Sequence, residues 1–551
     1  MKTHGRPCHR AGLQTGLAVL FAGSIALLVG NHVLAKEPPQ VELTLLGSYA
    51  SEIFNAGGSE IVAHDPLTQR LYVVNAQNAS VNVLDISDPA SPTLVDSLSL
   101  IPFGGVANSV AVHEGLVAVA MESTPNRTDP GKVVFFDASF TLINVVSVGA
   151  IPDMLTFTRR GRYVLVANEG EPKSYNQPDS VDPEGSVSII DLRDGPATLT
   201  QANVRTADFH AFNGMEASLR AAGVRIFGPN ASASQDLEPE YIAVSPDDTT
   251  AWVTLQENNA MATVDIASAT VTSIVSLGLK DHSLPGNGLD PSDRDNAAGT
   301  GPAIQIGNQP VAGLYQADGI FAHRIGKEVF LFLANEGDAR TDWPGFNEEA
   351  TIGSAGYVLD PTAFPAAATL KQNRNLGRLR ASNASGDLDG DGDFDEIHTF
   401  GGRSFSIRTT SGALVFDSGD AFEQVTAVLH PAVLFNASHS NNTFDDRSRS
   451  KGPEPEGIAV GRAFGQTWAF IALERVGGVM VYDVSDPHSA RFVTYANNRN
   501  FAGTFSFATA GDLGPEGILF IDEDDSPTGE PLVVTANEIS GTTTIYQVNK
   551  L

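Results

Sequence analysis

The sequence predicts an all-β protein: a seven-bladed β-propeller closed by its N-terminal strand, with long insertions on one face. Three observations predict this fold. The chain has 53 glycines and 31 prolines between short runs rich in Val, Ile and Phe, a composition typical of many short strands joined by turns. A unit of three strands recurs seven times, and one unpartnered strand precedes the first unit.

Each repeat begins with a polar residue that leads into a short apolar strand. A stronger strand follows and ends in a polar tip, and a third strand closes near an aspartate. The first repeat reads SEIVAHD, RLYVVNAQ and SVNVLDIS over residues 59–87. The others cover 108–138, 152–192, 239–267, 317–419 with a long internal insertion, 455–485 and 515–548. Three or four antiparallel strands per repeat is the content of one propeller blade.

The segment VELTLLGSY, at residues 41–49, predicts how the ring closes. It has no partner in the first repeat, and the last repeat lacks an obvious fourth strand. Pairing the two completes the last blade and removes the open strand edges. The alternative fold is two tandem all-β domains.

The first 35 residues predict a secretory signal peptide. Lys2, Arg6 and Arg10 form a positive region, an apolar stretch runs from residue 16 to 29, and Val33-Leu34-Ala35 supplies a cleavage site. The alternative is a membrane anchor, but roughly 14 apolar residues fall short of the roughly 20 that a spanning helix needs. We therefore expect a secreted or periplasmic protein with no transmembrane anchor after cleavage. The predicted organisation is a signal peptide over 1–35 and one propeller domain over 36–551, with insertions at about 193–236, 278–315, 337–402 and 421–452.

Composition limits the function classes. The only cysteine, Cys8, lies in the signal peptide, so disulfides and cysteine-based metal or redox sites are excluded from the mature chain. The chain has 34 Lys and Arg against 65 Asp and Glu. This surface repels nucleic acid and anionic membranes and suits divalent cations, although acidic residues also serve solubility alone.

Aligned repeats place acids at two recurrent positions. The residue that enters each first strand is, in order, Glu60, Asn108, Asp153, Glu240, Asp318, Glu456 and Glu516. The residue predicted to end each second strand is Gln77, Glu122, Glu169, Glu257, Glu336, Glu474 and Glu538. Because antiparallel neighbours start and end at the same edge, the two sets predict two concentric rings of carboxylates around one channel mouth.

Crowded carboxylates repel one another and raise each other's pKa, and a bound divalent cation relieves that repulsion. Oxygen-only ligands favour Ca²⁺, with Mg²⁺ or Mn²⁺ as alternatives. The candidate metal ligands at the rings are Glu169, Glu336, Asp338, Glu456, Glu516 and Glu538. The alternative is that each glutamate caps backbone amides at a blade junction.

A second candidate calcium site is the loop DLDGDGDFDE at 387–396. It matches positions 1, 3, 5, 6, 7 and 9 of an EF-hand-type loop, with Gly392 at the sharp turn. His398 replaces the usual bidentate glutamate, and Glu396 is the nearest substitute. The candidate ligands are Asp387, Asp389, Asp391, Asp393, Asp395 and Glu396. The alternative is a solvated acidic turn.

Basic residues lie close to the predicted rings in the segments NEGDAR and NASHSNNTFDDRSRSKGPEPEG. Arg340, His439, Arg447 and Arg449 are candidate ligands for a phosphate or carbonate group, with Lys451 beside them. The alternative is a salt-bridged loop. The sequence contains no G-x-S-x-G, P-loop, H-E-x-x-H or G-x-G-x-x-G motif, so nucleophilic catalysis has no support.

The segments VLVANEGEP, FLANEGDAR, DGDGDFDEIHTFGGRSFSI, NASHSNNTFDDRSRSKGPEPEGIAVG and GPEGILFI resemble the choice-of-anchor I family. That family includes relatives of the mesenchyme-specific cell-surface glycoproteins of skeleton-forming cells. The resemblance covers roughly 41–548. It implies an exported propeller-like domain linked to calcium mineral, and some members carry an alkaline-phosphatase label. Members often end in a sorting or anchoring segment, which we do not expect after Lys550-Leu551.

Three hypotheses about function follow. The first is a calcium-binding protein whose partner is a surface polymer, a mineral or another protein. The second is a calcium-dependent phosphoesterase, resembling alkaline phosphatase or the propeller phytases, in which clustered cations bind phosphate and activate water. The third is a structural adhesive module in which the ring acids have no role in binding.

Overall fold

Seven four-stranded antiparallel sheets make up most of this protein. The computed structural model describes residues 40–341, 343–429 and 435–551. The predicted signal peptide therefore lies outside the described residues. Each sheet corresponds to one repeat of the sequence, and we number the sheets as blades 1 to 7 in chain order.

From first to fourth, the strands of blade 1 are Val62–Asp65, Arg70–Asn75, Ser80–Asp85 and Thr93–Ser99. Those of blade 2 are Ala107–His113, Leu116–Met121, Pro130–Phe136 and Leu142–Ala150. Those of blade 3 are Pro152–Phe157, Tyr163–Asn168, Ser186–Asp191 and Val204–Asp208. Blade 4 contains Pro239–Val244, Thr250–Leu255, Ala260–Asp265 and Thr270–Ser276. Blade 5 contains Ile320–Ile325, Glu328–Asn335, Ser404–Thr409 and Leu414–Asp417. Blade 6 contains Pro455–Ala463, Gln466–Leu473, Val479–Asp483 and Arg491–Ala496. Blade 7 contains Pro515–Ile521, Leu532–Asn537, Thr542–Lys550 and Val41–Ala50.

The middle strands are apolar on both faces because each blade packs between two neighbours. In blade 1 the second strand, Arg70–Asn75, is buried after its first residue, whereas the fourth strand, Thr93–Ser99, is almost wholly exposed. The apolar core is accordingly divided into layers between blades, such as the cluster that joins Leu165 of blade 3 to Val253 of blade 4. Continuous apolar runs therefore mark second and third strands, and polar alternation marks the outer strand.

The N-terminal strand closes the ring as predicted. Val41–Ala50 pairs antiparallel with Thr542–Lys550, from Val41 opposite Lys550 to Ala50 opposite Thr542. The first strands of blades 7 and 1 also meet, since the Gly517 amide donates to the Glu60 carbonyl at 3.0 Å. A seven-bladed propeller is confirmed, and two tandem domains do not account for this pairing of the two ends.

The long connections carry small elements of their own. The strands Leu279–Asp281, Ala312–Leu314 and His398–Thr399 form one sheet, and Glu349–Thr351 pairs with Arg380–Ser382. The α-helices are Glu216–Ala221, Ala233–Asp236, Ala367–Leu370 and Ala421–Leu429, and 3₁₀ turns lie at Ala76–Asn78, Pro196–Thr198, Gln201–Asn203 and His210–Phe212. None of the helices in the described part of the chain has the length and apolar character needed to cross a bilayer.

One predicted boundary differs from the structure. The segment 193–236 is not entirely an insertion, because Val204–Asp208 is the fourth strand of blade 3 and pairs with Ser186–Asp191. Its polar, half-exposed sequence hid it from a search for apolar runs. In blade 5, a long segment separates the second strand from Ser404–Thr409, and these two strands pair with each other.

Candidate metal centre

The start of each first strand and the end of each second strand lie at the same edge of the blade. Pro152 pairs with Asn168, Pro455 with Leu473 and Pro515 with Asn537. The acid that follows each of these prolines is at a register shift. Such an irregularity re-aims a side chain relative to the sheet, and here the acid lines the channel instead of pairing across the strands.

A cavity of about 350 Å³ lies at this mouth, and its lining is almost entirely charged. First-strand acids in its lining are Asp153, Glu240, Asp318, Glu456 and Glu516. Second-strand or tip residues in its lining are Glu169, Glu171, Gln256, Glu257, Glu336, Asp338, Glu474 and Glu538, with Lys451 and Arg475 as the cations. Five of the seven members of each predicted set thus line one opening.

A chamber of only about 40 Å³ adjoins the mouth, lined by first-strand acids together with Ile61, Asn108 and Tyr241. A wider cavity of about 720 Å³ follows, lined largely by apolar side chains of the first strands. The acids are therefore concentrated at one end of the channel, and the constriction separates them from the apolar end.

Two members of the predicted second ring, Gln77 and Glu257, lie one position beyond the residue that directly follows the second strand. Pro239 pairs with Leu255, so the residue after the strand is Gln256, and Glu257 lies one position further on. Gln77 is exposed within the 3₁₀ turn Ala76–Asn78 and does not line the cavity. In blades 1 and 4 the predicted residue is therefore one position further along than in the other blades, where it directly follows the second strand.

The acids approach one another most closely where two blades meet. The blade 7–1 triad consists of Glu60, Glu516 and Glu538, and the blade 5–6 triad consists of Asp318, Glu336 and Glu456. In each triad, one carboxylate oxygen from every residue lies within 4.8 Å of the other two. Both triads have the same construction: two first-strand acids from adjacent blades and the second-strand acid of the earlier blade.

Burial and mutual repulsion raise the pKa values of the carboxylates in the two triads. Burial, with the charges of Glu538 and Asp153, raises the pKa of Glu60 to about 8. Burial also raises the pKa of Glu336 to about 8, against the opposing effect of Lys451. The pKa values of Glu456 and Glu516 are raised well above their usual range by burial and by neighbouring carboxylates. Without a cation, Glu60 and Glu336 therefore favour their protonated forms at neutral pH.

Backbone capping does not account for these carboxylates. The hydrogen bonds to Glu336 come from the side chains of Gln256, at 2.8 Å, and Lys451, at 2.6 Å. Across the described residues, no backbone amide donates a hydrogen bond to the carboxylates of the two triads. Their oxygens are therefore directed at one another and at the cavity.

Three basic side chains form a cationic wall beside the acid-lined mouth: Arg447, Lys451 and Arg475. Glu454 is fully buried, and its pKa is well below the usual range: burial opposes this, but Arg447, Arg475 and Lys451 outweigh it. Arg447, Lys451 and Arg475 also line a neighbouring cavity of about 190 Å³ together with Arg380 and Asp338. Positive side chains thus gather beside the carboxylates.

Two of the predicted anion-binding residues, Arg340 and Arg449, do not line the acid-lined mouth. Arg340 is fully buried and bound to Asp236 and Glu238, so it is not available to an anion at the mouth. Arg449 pairs with Asp293 and Asp446 and lines neither of the two cavities.

Two of the predicted anion-binding residues remain near the mouth. His439 Nδ1 lies 3.0 Å from Glu474 Oε1 and 2.7 Å from Arg475 Nη1, so it lies between an acid and a cation of the mouth. Arg447, about 20% exposed, lines the smaller cavity. The partners of Arg340 come from a segment about a hundred residues earlier, and no local sequence pattern predicts that contact.

The loop at 387–396 folds into a tight acidic turn. The backbone amides of Gly390 and Gly392 donate to Asp387, and Leu388 donates to Asp395. Carboxylate oxygens of Asp387, Asp389 and Asp395 lie within 4.8 Å of one another. Asp391 and Asp393 lie outside this group, and Glu396 bonds instead to His398 Nε2 at 2.9 Å.

Sequence reasoning missed three residues of the site: Glu171, Glu454 and Arg475. Glu171 lines the mouth and follows the glycine of NEGE, as Asp338 follows the glycine of NEGD. That parallel was available in the sequence. The roles of Glu454 and Arg475 depend on their mutual contact across 21 residues, with Arg475 Nε 2.9 Å from Glu454 Oε2.

Comparison with protein families gives a match over most of the chain. A profile of the choice-of-anchor I domain matches residues 60–487. Gigasin-3a of Magallana gigas is 29% identical over 194 residues, which cover 33% of this chain and 68% of that protein. The mesenchyme-specific cell surface glycoprotein of Strongylocentrotus purpuratus is 26% identical over 333 residues, 54% of this chain. The aligned region spans 42% of that glycoprotein's length.

Solved structures with similar backbones include Kuenenia stuttgartiensis hydrazine synthase, at 14% identity and a TM-score of 0.42. That match covers 90% of this chain and 96% of the other. The β-propeller domain of Myceliophteria thermophila Cps50 (Swd1) has 8% identity and a TM-score of 0.42, over 93% and 100% of the two chains. The fold assignment rests on the seven sheets described above.

Proposed function

Because this chain belongs to the choice-of-anchor I family, we propose that it is an exported propeller that binds divalent cations, Ca²⁺ foremost, at its acid-lined mouth. The bound cations then hold an anionic partner, such as a surface polymer, a protein or a mineral. A relative named as a cell surface glycoprotein supports a site of action outside the cytoplasm.

The observation that carries the proposal is the repeated geometry of the two triads. Each brings three carboxylates from two blades within 4.8 Å and leaves them without backbone donors among the described residues. Three oxygen donors from rigid strand ends suit a hard cation that takes six to eight oxygen ligands. Cysteine is absent from the described residues, which favours Ca²⁺ or Mg²⁺ over soft metals.

The cationic wall supports the second half of the proposal. A cation held by three carboxylates keeps open positions for an outside ligand, and an anion that occupies them meets Lys451 and Arg475 in the same cavity. A partner with several carboxylate, phosphate or carbonate groups gains from both contacts. A neutral polymer gains from neither.

Calorimetric titration of the full mature chain with CaCl₂ and MgCl₂ tests cation binding. We expect Glu516→Gln/Glu538→Gln to remove binding at the blade 7–1 triad, and Asp318→Asn/Glu336→Gln to remove it at the blade 5–6 triad. The charge-matched control is Glu523→Gln/Asp524→Asn, two exposed acids in the turn between the first two strands of blade 7. Equal Ca²⁺ binding by both triad variants and the control would contradict the proposal.

A second candidate function is a calcium-dependent phosphoesterase. The observation that favours it is that the acidic and the cationic cavities share Asp338, Lys451 and Arg475, so one phosphate group can reach both. Bound cations supply a polarised water, and this chain's own residues orient and neutralise the phosphate. A panel of phosphate esters, assayed with Ca²⁺ and then with chelator, tests it. Turnover that Glu336→Gln does not reduce would exclude this site, and Ca²⁺ binding without turnover would leave the binding function alone.

A further inference from the structure

The wider cavity of about 720 Å³, here called the apolar cavity, lies at the end of the channel away from the acid-lined mouth. The first strands of all seven blades contribute to its lining. Because the acids stand where these strands begin, the residues where the strands end lie at the opposite opening. A volume of this size is within the range of roughly 300–1,000 Å³ that is usual for small-molecule sites.

The walls of the apolar cavity are built from aliphatic and aromatic side chains. They include Val110, Val112, Phe157, Phe321, Ile458 and Leu519. Such walls gain free energy when an apolar ligand displaces water from them. A hydrocarbon chain or a ring therefore suits the body of this cavity.

The charged side chains that line the apolar cavity are all arginines: Arg159, Arg324 and Arg462. They are exposed, and among the described residues none of the three forms an ion pair, whereas the adjacent Arg160 lies 3.9 Å from Asp248. No Asp or Glu belongs to the described lining, although the chain has 65 acidic residues against 34 basic ones. Three unpaired guanidinium groups at one opening favour an anion.

His323 adds a polar atom that has no partner. It lines the same cavity, and its Nε2 is buried without a hydrogen bond to any residue in the part of the chain that the structure describes. Burial and the charge of Arg462 lower the pKa of His323, so its ring is neutral at pH 7. A buried ring nitrogen of this kind is unfavourable unless a ligand or water binds it.

The channel is polarised along its length, and this fixes the direction of a ligand. At its inner end the apolar cavity meets the chamber of about 40 Å³, which is lined by Asp153, Asp318, Glu456 and Glu516. An anionic group directed inward would meet these carboxylates, whereas one directed outward meets the arginines. The apolar part of the ligand therefore points inward.

We propose that the apolar cavity binds a small amphipathic carboxylate, with its alkyl or aryl body between the first strands and its carboxylate at Arg159, Arg324 and Arg462. The site is distinct from the acid-lined mouth and does not depend on cation binding there. Its ligand class also differs, because the mouth selects cations and this opening selects an organic anion.

Calorimetric titration of the full mature chain in chelator tests the proposal, with sodium octanoate as the probe and octanol as its neutral analogue. We expect octanoate to bind more tightly than octanol. Arg324→Gln/Arg462→Gln should weaken octanoate binding about fivefold, the effect of two exposed charge contacts, and leave octanol binding unchanged. Because both arginines are exposed, this variant leaves the packing between blades intact.

The charge-matched control is Arg160→Gln/Lys327→Gln. Both residues are exposed, lie in turns between first and second strands at the same end of the channel, and are outside the lining of the apolar cavity. This variant should bind octanoate as the unmodified chain does. Equal octanoate affinity in the two double variants, equal affinity for octanoate and octanol, or no octanoate binding at millimolar concentration would each overturn the proposal.

A second variant tests whether the apolar body enters the cavity. Ala322 lines it from the first strand of blade 5, and Ala322→Phe fills part of its volume. We expect the folded variant to lose affinity for octanoate and octanol alike. Octanoate binding that this change leaves intact would place the ligand on the outer surface, and the proposal would fail.

Discussion

Lys451 Nζ lies 2.6 Å from Glu336 Oε1, and this contact places an ammonium group directly on the blade 5–6 triad. The same ammonium lies 3.0 Å from Glu454 Oε2. The contact partly replaces the charge of an ion and explains how one triad acid keeps a partner when no metal is bound.

We expect Lys451→Met to destabilise the metal-free protein by about 3 kcal/mol at pH 8, because it leaves buried carboxylates without their cation. Millimolar Ca²⁺ should reduce this loss, since the ion takes over the charge at Glu336. Urea unfolding with and without chelator measures both values. Lys173→Met, which breaks an exposed pair with Asp179, should change stability by less than about 1 kcal/mol. An equal loss in both buffers would argue against an ion at this triad.

The metal-free protein should lose stability as the pH rises towards 8. The folded-state pKa values of Glu60, Asp153 and Glu336 are each raised to about 8, chiefly by burial, whereas the unfolded chain has ordinary values near 4. The folded state therefore holds more protons across this interval, and its stability is greatest below the unfolded pKa and falls through the folded one.

Melting temperatures between pH 5 and pH 9 in chelator, and again in Ca²⁺, check this. The gap between the two curves should widen with pH, because the ion competes with protons for the same oxygens. Melting temperatures in chelator that stay level or rise from pH 6 to pH 8 would contradict the folded-state pKa values.

The acidic turn at 387–396 makes a separate prediction. Asp389→Asn should weaken Ca²⁺ binding at the turn about tenfold or more, because Asp389 belongs to the group of three close carboxylates. Asp393→Asn should have a smaller effect, since Asp393 lies outside that group. Titration of the two variants in the background of both triad variants isolates the turn. Equal effects would favour the EF-hand-type alignment of the sequence over the geometry.

Removal of the strand Val41–Ala50 should destroy the closed ring. A chain that begins at residue 51 exposes the edge of Thr542–Lys550 along its length, and an unpaired apolar edge promotes association between molecules. We expect this chain to elute as aggregates in size-exclusion chromatography, while a chain that begins at residue 40 elutes as the intact protein does. A truncated chain with the same elution and melting temperature would contradict the role of this strand.

The blades could be predicted from the sequence because continuous apolar runs mark the strands that pack between neighbouring blades. It also located most acids of the mouth, since each follows a recurrent proline or strand end. It could not choose between Gln256 and Glu257, because their order depends on a one-residue register at a blade tip. The burial of Arg340 depends on contacts between distant insertions, and no local pattern encodes it.

The blade 7–1 triad also has a consequence for the history of each molecule. Glu60 lies near the beginning of the chain and Glu516 and Glu538 near its end, and the strands that carry them meet across the seam where the two ends join. A chain still emerging from a ribosome or a translocation pore has only one of the three side chains in place. If the triad binds a cation as proposed, it can do so only after blade 7 has been synthesised and joined to blade 1, and a bound ion would then mark molecules whose ring is closed.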